Sequence, residues 1–141
     1  MTLRVRALDP VTGDYQIFRG IPAEFLVDSP EAVAQKILTR LNLWAGEWFE
    51  DLSAYTPWLQ QILGRHASAP PAPGQAPTVG TVYDMALKTV IANTPGVSQL
   101  LSYSSFLDGA SRALAVEATV MTIFSTTSIT ITTAVPLVPL P

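Results

Sequence analysis

Glu47, Glu50 and Asp51 sit among aromatic residues, in the run Trp44-Ala-Gly-Glu-Trp-Phe-Glu-Asp-Leu-Ser-Ala-Tyr-Thr-Pro-Trp58. Two carboxylates beside indole rings are what glycoside hydrolysis uses, one as proton donor and one as base or nucleophile, with the sugar stacked on an aromatic face. Spacings of three, one and four residues instead put these acids on the outside of a turn or short helix, where they solvate an apolar stretch. Trp44, Trp48, Phe49 and Trp58 then read more simply as anchors of a core or an interface. A carboxylate such as Glu47, between Gly46 and Trp48, is costly to bury alone. If it turns inward it must pair with Arg40 or Arg112 or accept backbone N–H bonds; if not, it faces water.

Other chemistries find less support. The single histidine, His66, stands at the mouth of a proline-rich stretch, where no oriented base for a catalytic triad is expected. Without cysteine there is no thiolate nucleophile, zinc-thiolate site or disulfide framework. Neither Gly-x-Gly-x-x-Gly nor Gly-x-x-x-x-Gly-Lys occurs. These residues imply no metal, cofactor or small-molecule substrate.

The elements that would position the aromatic segment follow from periodicity. Leu3, Val5 and Ala7 alternate with Arg4 and Arg6, Asp9 to Asp14 is rich in turn formers, and Tyr15 to Arg19 follows, which together predict a hairpin. A helix is expected from about Asp28 or Ser29, with Pro30 in its first turn and Glu31 completing a capping box with Asp28. Val33, Ile37, Leu41 and Trp44 share one face of it; Lys36 and Arg40 lie on the polar side. A shorter helix is expected near Thr56-Pro57, burying Trp58, Leu59, Ile62 and Leu63. Residues 66–78 are too rich in Pro and Ala for a core or a helix and predict a flexible loop.

Thr81 and Asp84 open a further helix through Met85, Leu87, Val90 and Ile91, stopped by Pro95-Gly96. The period then changes to two. Val97 to Leu107 reads as an irregular edge strand, Arg112 to Phe124 as a long strand, and Ile129 to Val135 as another, with Ser125 to Ser128 between them. Ile129, Ile131, Thr133 and Val135 face one way. Uncharged and free of proline, this last strand has the composition of an edge that aggregates unless a partner covers it; a central position is the alternative. Residues 136–141 form a proline-rich extended tail.

The balance of the chain sets its class. In 141 residues only 13% are charged and 48% hydrophobic, with a net charge of -3. That is about half the charge of an ordinary soluble domain, and it predicts a surface partly covered by partners. A net negative chain has no basic field for nucleic acid. No stretch approaches the roughly 20 apolar residues of a membrane span, and the N-terminus lacks the apolar run of a signal peptide.

Ser29-Pro30-Glu31-Ala32-Val33 through Thr39-Arg40-Leu41, then Gly46-Glu47-Trp48-Phe49, Pro57-Trp58 and Ile62-Leu63-Gly64 resemble a family of small baseplate proteins from contractile-tailed bacteriophages, the sheath-initiator and wedge proteins. The resemblance implies a single α+β domain over 1–141, its helices packed on a C-terminal antiparallel sheet, with an N-terminal β-hairpin and a Pro-rich central loop. It implies a structural role in the virion tail baseplate, assembled in the host cytoplasm. The implied partners are other baseplate wedge subunits and tail sheath or tube proteins, met by protein contacts and strand exchange. Better-known initiators carry Glu-Pro-Arg before the main strand; here Leu107-Asp108-Gly109-Ala110-Ser111-Arg112 lacks it, leaving Arg112, near Asp108, as the candidate for the arginine's role. Two other readings stay open on the residues: a tail-associated peptidoglycan-degrading enzyme, and a carbohydrate- or peptide-binding module with exposed tryptophans.

Overall fold

The computed structural model describes residues 2–9, 11–15, 17, 25–49, 51–58, 79–108 and 110–136. The elements are β1 (Arg4–Arg6), β2 (Phe25–Val27), α1 (Pro30–Asn42), α2 (Val79–Ala92), β3 (Val97–Asp108), β4 (Ala113–Thr122) and β5 (Ser125–Pro136). β1 and β2 form an antiparallel pair, and β3-β4-β5 an antiparallel sheet with β4 in the middle. This is the expected α+β arrangement.

The N-terminal hairpin turn closes where the sequence places it: the Asp9 N–H donates to the Asp14 carbonyl, its own carbonyl accepts from Gly13, and Leu8 bridges Tyr15 in antiparallel sense. β1 also pairs with β2, Val5 opposite Leu26 and Arg6 opposite Phe25. Gln16, Phe18 and Arg19 lie outside the described residues. The Leu3 amide donates to the Asp28 carboxylate at 2.6 Å, which fixes the start of β1 beside the start of α1.

That use of Asp28 corrects the expected capping box. Ser29 is the N-cap, its hydroxyl accepting from the Ala32 amide at 3.2 Å, and Pro30 follows where a missing N–H costs nothing. Val33, Ile37 and Leu41 are buried as a stripe, while Trp44 falls beyond the end of the helix and is half-buried. Gln35 is also buried: its Nε2 donates to the Arg6 carbonyl and its Oε1 accepts from the Leu8 amide, stitching the hairpin to α1.

α2 begins at Val79, two residues before the expected start. Asp84 does not cap it; its Oδ1 accepts from the Tyr103 and Ser105 hydroxyls at 3.0 and 2.6 Å, tying α2 to β3. Leu87 and Ile91 are buried, but Met85 faces water. At the α2–β3 junction Gly96 has φ +99, and a Cβ there would lie 2.6 Å from Val33 Cγ2. Only glycine lets the chain turn and α1 approach this closely.

The strand limits shift as well. Arg112 stands in the β3–β4 turn with φ 52 and β4 starts after it. Ser125 to Ser128 already belong to β5, and Pro136 still pairs with Ala113. Leu114, Val116, Ala118 and Val120 of β4 and Ile131 and Val135 of β5 face the helices. With Leu3, Trp58 and the helix stripes they form one core. Each fully buried aliphatic side chain contributes about 1.5–3 kcal/mol. Residues 66–78, expected as a flexible loop, Leu59, Ile62 and Leu63, expected on a helix, the residues beyond Pro136, and Glu50 all lie outside the described residues.

Candidate assembly surfaces

The aromatic segment folds back on the end of α1. The Thr56 amide donates to the Leu43 carbonyl and its hydroxyl to the Arg40 carbonyl. The Trp58 indole Nε1–H donates to the Leu41 carbonyl at 2.9 Å. These three bonds satisfy carbonyls that the last turn of a helix leaves open. They also drive Trp58 into the core, where it is 1% exposed. Arg40 serves the same junction: its Nη1 donates to the Asn93 carbonyl at 3.0 Å, joining α1 to the end of α2.

Between those ties the loop turns outward. Phe49 is 84% and Leu52 64% exposed, and Trp48 also reaches solvent. Glu47 is exposed and its Oε2 accepts from the Trp44 amide at 2.7 Å. It therefore stabilises the turn from within rather than pairing with Arg40 or Arg112. Asp51 accepts from both the hydroxyl and the amide of Ser53, and the Ser53 hydroxyl in particular holds its carboxyl below the ordinary aspartate value. A general acid needs the opposite shift. Among the described residues no group of three His, Cys, Asp or Glu side chains could hold a metal, and no helix is long and apolar enough to cross a membrane.

The sheet offers the second surface. Its inner face is covered by helices, α1 over β5 and α2 over β3. Its outer face carries Thr119, hydrogen-bonded across strands to Thr130 at 3.0 Å, Glu117 opposite Thr132, and the exposed Phe106 opposite Ala115. Both edges are open among the described residues, and they differ. β3 is broken by register shifts between Val97 and Gln99 and between Leu100 and Ser102. β5 pairs in unbroken register with β4 from Ile129 to Pro136 and has no charged residue. Ile129, Ile131 and Val135 turn inward, as their alternation predicts, and Thr130, Thr132 and Ala134 outward.

Arg112 is exposed in the β3–β4 turn. Asp108 accepts there from the Ala110 amide and the Ser111 hydroxyl, so this acid organises the turn. The predicted site residues are thus distributed: Trp44, Glu47, Trp48, Phe49 and Trp58 gather with Arg40 around the end of α1, while Arg112 and the β5 residues belong to the sheet. Sequence reasoning missed Gln35, and it took Thr56 and Asp84 for helix starts rather than for the ties to α1 and β3 that they make. Gln35 lies off the Val33-Ile37-Leu41 stripe, so the helical pattern gave no sign of its burial.

Comparison with curated proteins returns no match. The family model described as contractile injection system sheath initiator matches residues 4–125, a span that takes in the hairpin, both helices, the loop between them and the sheet as far as the start of β5. The chain belongs to the contractile injection system sheath initiator family, whose role is structural.

Proposed function

We propose that this chain is a non-enzymatic subunit of a contractile phage tail baseplate, assembled in the host cytoplasm, on which the first ring of sheath is built. The whole of 1–141 acts as one unit. It carries no cofactor and works by protein contacts alone, meeting sheath or tube proteins on one side and baseplate wedge subunits on another. The observation that carries the reading is the open, regular, charge-free edge of β5, joined to membership of a family of sheath initiators. An edge of this kind is a template for another strand. A strand from a sheath subunit added to β5 extends the sheet and fixes the orientation of the first ring.

Lysines near an edge oppose strand addition. Thr130→Lys with Thr132→Lys, both on the exposed outer face, is expected to leave the fold intact and abolish sheath growth on baseplates, as seen by electron microscopy. Sheath of normal length on such baseplates refutes the β5 contact. Cell-wall hydrolysis by the purified protein, lost in Glu47→Gln, refutes the non-enzymatic reading.

A further inference from the structure

Both helices lie on the inner side of the β3-β4-β5 sheet, so among the described residues its outer face is bare. Phe106, 70% exposed, stands on that face in one row with Ala115 and Ala134. Ser104, Glu117 and Thr132 make the next outward row, two residues along each strand. Glu117 is the only charged residue of β4, and its carboxylate has no partner among the described residues. Arg112, exposed in the β3–β4 turn, has none there either. Asp108 of the same turn accepts from the Ser111 hydroxyl and the Ala110 amide, and those donors, not Arg112, hold its carboxyl below the ordinary aspartate value. Covering either free charge alone is costly, so the surface that covers this face must bring both opposites.

The two charges are symmetric about one row. Ala113, next to Arg112, and Glu117 lie two residues to either side of Ala115, and Ala115 is flanked by Phe106 on β3 and Ala134 on β5. When two such faces meet about a two-fold axis that crosses the strands at this row, β4 lies antiparallel over its counterpart, and Glu117 of each copy falls on Ala113 of the other, beside Arg112. We propose that this chain pairs with a second copy of itself through the outer faces of the two sheets, Phe106 against Phe106 and Glu117 against Arg112 on both sides of the axis. Ala115 and Ala134 leave room for the sheets to close around the two rings, which pack offset or edge to face. The overlap is about six residues long on three strands, roughly 20 Å by 15 Å, the size of a weak and reversible contact. It leaves both β5 edges open, so it stands or falls separately from the sheath contact.

Sedimentation of the full chain tests this. The expected result is a reversible equilibrium between monomer and dimer, with a dissociation constant of about 0.1 mM, that goes no further than the dimer. Arg112→Glu and Glu117→Arg, both at exposed positions, should each weaken it at least tenfold, because each sets like charges against one another. An equimolar mixture of the two variants should dimerise again, and so should the chain that carries both, since the facing charges are then opposite. Phe106→Ser should weaken the dimer with an unchanged circular dichroism melt. A wild-type chain that stays monomeric to roughly 1 mM overturns the inference. So does a dimer that survives Phe106→Ser or either charge reversal, a mixture or a doubly substituted chain that fails to restore it, or association that continues past the dimer.

Discussion

Trp58 and the pair Trp48-Phe49 lie within eleven residues of one another and look alike in sequence, yet they end on opposite sides of the surface. Trp58 is 1% exposed and gives its indole N–H to Leu41, whereas Phe49 is 84% exposed. Residue type does not separate them, since each is a large aromatic with a similar gain on burial. The difference lies in what the neighbouring backbone needs. At the end of α1 the Arg40 carbonyl accepts from the Leu43 amide and also from the Thr56 hydroxyl, and the Leu41 carbonyl accepts from the Trp58 indole. Glu47 and Asp51 spend their acceptors on the turn itself and keep Trp48 and Phe49 outside. One half of the segment belongs to the core and the other lies at the surface.

The sharpest test is truncation on the core side. Trp58→Ala removes a fully buried ring and the donor to Leu41, and is expected to cost about 3–5 kcal/mol of unfolding free energy in urea. A loss below about 1 kcal/mol means that Trp58 is not the anchor described and that the contrast has no energetic content.

Much of this was legible in the sequence, for identifiable reasons. Val33, Ile37 and Leu41 announced the buried face of α1, and the alternation from Ile129 to Val135 announced β5, because each pattern repeats with the period of the element that holds it. The pairing of β1 with β2 was not legible. It is held by Asp28 accepting from Leu3, a contact across twenty-five residues. Asp28 and Ser29 are adjacent and both good caps, so composition could not say which would take the helix and which the strand. The fates of Trp48 and Trp58 were hidden because they depend on carbonyls more than a dozen residues earlier in the chain for Trp58 and on an acid three residues after Trp44 for the turn.

On the exposed side truncation should be nearly silent for folding. Trp48→Ala and Phe49→Ala are expected to change unfolding free energy by no more than about 0.5 kcal/mol, as exposed positions usually do. Their effect should appear as lost baseplate incorporation. If Phe49→Ala destabilises the isolated chain as much as Trp58→Ala does, the loop is part of the core and the division within the segment is wrong.

The smallest expected effect is electrostatic and confined to the loop. The Ser53 hydroxyl, then the Ser53 amide, hold the Asp51 carboxyl below its ordinary value of 3.8. A carboxyl whose folded pKa is depressed stabilises the fold above the unfolded value and loses that contribution as pH falls through the lower folded value. Acidification below the ordinary aspartate range should therefore loosen the Ser53 turn first, while Trp58, whose indole bond to Leu41 involves no titrating group, stays in place. Nuclear magnetic resonance separates the two, with the Ser53 amide reporting the loop and the Trp58 indole N–H the core. Ser53→Ala should raise the Asp51 midpoint toward its ordinary value and leave the Trp58 signal unmoved. An Asp51 titration unchanged by that substitution assigns the shift to another source, and a Trp58 signal that moves together with Ser53 shows that loop and core respond as one body.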